Sequence, residues 1–229
     1  MNPVDFQGLR LLRKKGRKRL TVFVLADNVI EVRAPLRTSD RVVREFLLQA
    51  APWIRQKLQA NQERPSAARL RYVDGEKIPW QGKEILLHVL PGIKQSRLTD
   101  ESLTVHARNA LNAKKKVAAV YAKHGEKSCR ETVSRFAPIV GKHPSRISVR
   151  GMKSRWGSCS HSGSLSLNWK VLAAPQHVID YLIVHELCHL IHANHSSRFW
   201  AEVERVLPEY KEGRKFLKDH GSSILIRFD

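Results

Sequence analysis

The chain has 229 residues, with 41 Lys and Arg against 21 Asp and Glu, a formal net charge of +20. A hydrophobic fraction of 42% excludes a disordered polycation, and no run of about 18 apolar residues is present to cross a membrane. Met1–Gly16 lacks the apolar stretch of a secretory signal. Cys129, Cys159 and Cys188 are too few and too scattered for a disulfide framework, so a reducing cytoplasm is expected.

Leu9–Leu12, Leu20–Leu25 and Val29–Arg33 read as strands, the last two joined at Ala26-Asp27-Asn28, where Asp and Asn tolerate a tight turn. Asp40 to about Ala60 reads as a helix, with Pro52 predicting a kink or a division into two. Residues 61–69 are polar and read as a linker. Ile78–Trp80, Glu84–Leu90 and Leu103–His106 read as short strands between Gly and Pro turns. Lys114–Val140 reads as a long helix interrupted near Gly125. Ile147–Val149, Arg155–Ser160 and Ser164–Trp169 are the next strands. In the last of these, Leu165, Leu167 and Trp169 alternate with Ser164, Ser166 and Asn168. Pro175 opens a helix expected to reach His192. Helices over Ser197–Leu207 and Glu209–His220 follow, stopped by Pro208 and Gly221.

The charge is uneven. Residues 1–60 hold 13 basic and 5 acidic side chains, and residues 106–170 hold 14 and 2, whereas residues 171–229 hold 7 and 8. Seven of the ten residues from Arg10 to Arg19 are basic. Segments 10–19 and 106–170 are therefore the candidates for contact with nucleic acid or another anion, against the plainer reading of solvated, solubilising surface. No aromatic-rich RNA-binding pattern or zinc knuckle accompanies them, so any such contact would be largely electrostatic.

The chemistry concentrates in the neutral last quarter. His185-Glu186-Leu187-Cys188-His189 places two imidazoles four residues apart on one helical face, within reach of one metal at about 2.0–2.1 Å from each nitrogen. Glu186 is rotated by about 100° and stands beside the metal as a proton acceptor for water. A catalytic zinc site needs one more ligand and an open position. His195 can fold back if the helix breaks near Asn194. His192 lies about 10 Å along the same stripe and would strain the geometry, and Glu202, Glu204 or Glu209 on later helices are further alternatives. The metzincin pattern fits less well, because His192 stands where it wants Gly, and Met1 and Met152 are the only methionines.

Trp156-Gly157-Ser158-Cys159, Leu165-Ser166-Leu167-Asn168-Trp169, Ala174-Pro175, Val178-Ile179-Asp180-Tyr181, the His185–His189 motif, Asn194-His195-Ser196 and Phe199-Trp200 occur in that order. This set resembles the bacterial YgjP-type metal-dependent hydrolases, relatives of the SprT-like and WLM zincin peptidases. The match is strongest over residues 145–220. The resemblance implies His185, His189 and His195 as zinc ligands and Glu186 as general base, acting on a peptide or protein. The four-cysteine zinc ribbon of some SprT-like relatives is missing.

The expected fold is α+β. An N-terminal β-rich segment with one helix (residues 1–105) precedes a zincin-like unit of long helix, small sheet and active-site helix (residues 106–229). The expected function is zinc-dependent peptide hydrolysis. The rivals are a basic nucleic-acid-binding module with a structural or vestigial metal site, a peptidase acting on nucleic-acid-bound proteins, and a hydrolase of non-peptide amides. Arg155, Trp156, Asn168 and His192 are candidate substrate contacts, Tyr210 or His192 candidate oxyanion donors, and Ser164–Trp169 a candidate edge strand for aligning an extended peptide.

Overall fold

The computed structural model describes residues 9–24, 28–63, 69–92, 95–152 and 155–229. The expected turn at Ala26-Asp27 and most of the 61–69 linker lie outside them. The chain divides into two units, Met1–Ala68 and Arg69–Asp229.

The first unit is a three-stranded sheet and one helix. Strands β1 (Leu9–Lys14) and β2 (Thr21–Val24) flank β3 (Ile30–Pro35), β1 parallel to it and β2 antiparallel. Ile30, Val32 and Ala34 alternate on one face of β3 and pack against Val43, Leu47 and Ile54 of helix α1 (Asp40–Glu63). α1 runs through Pro52 as one helix, not the two shorter helices that the sequence allowed. The carbonyl that Pro52 cannot engage belongs to Leu48, which is open to solvent. Part of the basic run is used locally: Arg10 pairs with the buried Glu31, Arg13 with Asp40, and Arg17 bonds Thr21 and the Arg19 carbonyl.

The second unit holds a sheet of β4 (Glu76–Trp80), β5 (Lys83–Leu90), β6 (Arg97–Leu98) and β7 (Ser102–His106), in the order β4-β5-β7-β6. Helix α2 (Ala110–Val140) follows, its first turn capped by the Asn109 carboxamide. The expected boundary at 105/106 is displaced to 68/69 because Ile78, Leu87, Leu103 and Val105 share one hydrophobic cluster with Val117 and Tyr121 of α2. Tyr121 is fully buried, donates to the Pro79 carbonyl at 2.6 Å, and meets Trp80, Trp169 and Phe228 edge-on.

A second sheet, β8 (Arg146–Arg150), β9 (Gly157–Cys159) and β10 (Ser164–Asn168), has the order β8-β10-β9. A 3₁₀ turn (Trp169–Ala173) leads into α3 (Gln176–Cys188), α4 (Ser197–Val206) and α5 (Tyr210–Arg227). Two glycines expected to break helices do not. Gly125 gives the Leu172 side chain room against α2, and Gly221 lies inside α5 against the Trp156 indole.

Candidate metal centre

Helix α3 is buried along most of its length, with Val178, Ile179, Leu182, Ile183 and Leu187 in the core. It ends at Cys188, shorter than expected, and turns at Leu190 to His192 reverse the chain before Ser196 caps α4. That reversal returns His195 to the two α3 histidines. The ring nitrogens of His185, His189 and His195 lie within 4.8 Å of one another, and His185 Nε2 is 3.0 Å from His195 Nε2.

The surroundings orient these rings. His189 Nδ1 meets the His192 carbonyl at 3.0 Å, which leaves Nε2 for the centre. Phe199 is fully buried beneath all three imidazoles, with ring centroids 5.0, 4.6 and 4.8 Å away. His185 Nδ1 is buried with no hydrogen-bond partner among the described residues. Burial, the neighbouring His189 and His195, and Arg214 hold the His185 imidazolium far below its ordinary range, at about 3. The ring is therefore neutral at physiological pH, the form that donates a lone pair to a metal. Three imidazole nitrogens converging on one point fit a divalent ion of the imidazole-binding class.

Glu186 borders the same cleft, buried to 5% exposure. Burial lifts its carboxyl to about 7, against the opposing pull of Arg155 and of a hydrogen bond from the Cys159 backbone. The fit is tight: a Cβ on Gly157 would lie 2.5 Å from Glu186 Oε1. An isolated glycine in a short strand is the sequence signal for such an approach, and it was legible only as a motif letter.

Strand β10 is not an edge. It is flanked by β8 and β9, and both its faces are covered, with Ser166 at 6% and Asn168 at 0% exposure. The strand that borders the cleft is β9. Ser160 N–H and Asn168 N–H bond inward to the Ser164 and Trp156 carbonyls. By antiparallel alternation the backbone groups of Gly157 and Cys159 then face outward.

The candidate substrate contacts separate. Asn168 is a clamp, donating to the Met152 and Arg155 carbonyls and accepting from Lys170 N–H. His192 serves through its carbonyl. Trp156 packs partly on the core and lines a second lobe of the cleft, and Arg155 is exposed near Glu186. Glu202 and Glu204 are paired with Arg205 and Lys211 and do not join the histidines, nor does Glu209. Tyr210 is buried, stacked on Trp200 and Tyr181.

A family model described as the YgjP-like metallopeptidase domain matches residues 18–220. Among solved structures, the chain is similar to the metallopeptidase zymogen abylysin of Pyrococcus abyssi. The identity is 30% and the TM-score 0.36, over 39% of this chain and 93% of that one. It is similar also to the zymogen jannalysin of Methanocaldococcus jannaschii, at 24% identity and TM-score 0.35, with the same coverages. No curated protein matches.

Proposed function

Since this chain belongs to the YgjP-like metallopeptidase family, we propose that it is a zinc-dependent peptidase whose metal is held by His185, His189 and His195. The convergence of three imidazoles beside the buried Glu186 carboxylate carries this reading. Three imidazole nitrogens with a fourth position open are the donor set of a catalytic zinc site. Zinc bound there would supply Lewis acidity, polarising the scissile carbonyl and acidifying water.

Glu186 takes a proton from water at its carboxylate and delivers it to the leaving amine. A carboxyl poised near neutrality suits both halves of that task. The Cys159 N–H holds it by a hydrogen bond, and the charge of Arg155 favours its ionised form. The outward backbone of β9, at Gly157, is where an extended peptide pairs, in place of the internal Ser164–Trp169 strand.

Metal analysis with peptide-library cleavage tests the reading. One zinc per chain is expected, with cleavage lost to a chelator and restored by zinc. Protein prepared without chelator that carries no metal would overturn it. Gly157→Ala gives a local check. The added methyl pushes Glu186 aside, which lowers kcat/KM by roughly 10–100-fold with zinc content unchanged. Overpacking also costs about 1–3 kcal/mol, read by chemical denaturation.

Lys115, Lys116 and Lys123 on α2 are exposed and have no ion-pair partner among the described residues. That favours one second reading, a peptidase acting on proteins held on nucleic acid. Duplex binding that weakens on the order of tenfold or more between about 50 and 200 mM salt supports it. Binding indifferent to salt excludes it.

A further inference from the structure

Beyond Glu186 the cleft opens into a second lobe of about 330 Å³, which shares Gly157, His185 and Glu186 with the metal pocket. Trp156, Tyr181 and Leu217 give it apolar walls, and Arg214 and Lys218 add positive charge. Glycines on α5 bring these side chains there. A Cβ at Gly213 would lie 2.6 Å from Tyr181 Cβ, so α5 can lie against α3 only with glycine at that point. Gly221 lets Trp156 approach closely two turns later, a Cβ there lying 3.1 Å from the indole Nε1. Arg214, Leu217 and Lys218 then share one helical face, at spacings of three and four residues, and that face borders the lobe.

The two cations, like Lys215 between them, lack the ion pairs that other basic residues of this region make. Arg205, Lys211 and Arg227 are each paired with a glutamate. Arg214 and Lys218 have no carboxylate partner among the described residues, and the only acid bordering the lobe is Glu186. Arg214 is nevertheless held in place. Its guanidinium lies 4.2 Å from the centroid of Trp200, and that ring in turn stacks on His195. A planar fork fixed by stacking, unpaired and set between apolar walls beside a reaction centre, is pre-organised to receive a carboxylate.

We propose that Arg214, with Lys218, forms an anion subsite that selects peptides carrying a carboxylate next to the scissile bond. The proposal rests on the peptidase reading above. The carboxylate comes either from an Asp or Glu side chain or from the peptide C-terminus, and the two sources share the chemistry recognised. Loss of a charge-assisted pair of this kind costs on the order of 10–100-fold.

The test uses peptides of one sequence carrying Gln or Glu beside the scissile bond, and a Gln peptide ending there as free acid or amide. Zinc-loaded protein gives kcat/KM, and the Glu186→Gln variant gives Kd. The expected wild-type preference for a carboxylate is tenfold or more, and the preferred pair of peptides identifies the source. Arg214→Gln brings the ratio close to one. Arg214→Lys keeps most of it, although the stacking on Trp200 changes, and Arg214→Glu turns the preference towards a Lys-bearing peptide. Zinc content, measured for each variant, separates a disturbed metal centre from a lost subsite. Equal use of acidic and neutral peptides by the wild type, or a ratio that survives Arg214→Gln, overturns the proposal. If the zinc-loaded wild type cleaves none of the peptides, the peptidase reading fails, and the Kd ratio alone decides the subsite.

Discussion

His195→Ala weakens zinc binding by on the order of 10²-fold and abolishes turnover, while His192→Ala retains zinc as the wild type does. Zinc in four-ligand sites is held by roughly 10–16 kcal/mol, so one ligand accounts for about 3 kcal/mol or more. His195 is the exposed member of the triad, on the connection between α3 and α4, so its removal leaves no core cavity. The contrast with His192 is sharp because that residue holds His189 through a main-chain carbonyl, which alanine keeps. Titration with a competing zinc chelator reads both variants. Equal affinity of His195→Ala and wild type would remove His195 from the ligand set.

Glu186→Gln lowers kcat/KM by about 10²–10⁴-fold with zinc content unchanged, since the amide keeps the shape of the carboxylate and cannot accept the proton. It also changes stability in a pH-dependent way. In chelator, below the ordinary glutamate range both folded and unfolded chains carry the protonated acid, and the wild type bears no ionisation cost. As pH rises towards about 7 the unfolded chain ionises while the folded one resists, and the cost grows. Above that value the cost is full. Glu186→Gln is therefore more stable than wild type by roughly 1–3 kcal/mol near pH 8, and by little near pH 4. Parallel denaturation curves at the two pH values check the sign. A stability difference independent of pH would show that Glu186 is not buried as described.

Much of the site was legible because helical spacing alone puts His185 and His189 on one face, and Asn194 marked a place for the chain to reverse. What sequence could not supply was the neighbour of each strand. Alternation of Leu165 and Leu167 with Ser166 and Asn168 reports a pleat, and a pleat is the same in an edge or a central strand. Asn168 accordingly read as a candidate substrate contact, whereas both faces of β10 are covered and its carboxamide clamps the loop before β9. Phe199 appeared only as a motif letter, because its role depends on three rings from two separate segments meeting above it. The unit boundary was misplaced for a related reason. Composition changes near residue 105, but the buried side chains of β4, β5 and β7 belong with α2.

The shortness of β9 has a consequence for colloidal behaviour. An uncovered strand edge is a template for unwanted pairing between copies, and natural sheets blunt such edges by keeping them brief or occupied. β9 is both: it spans three residues, and the outward N–H of Cys159 is already engaged by Glu186. A passing strand would find too few free main-chain groups to nucleate a fibril-like stack. On the proposed reading, a single peptide would still dock there and leave once cut.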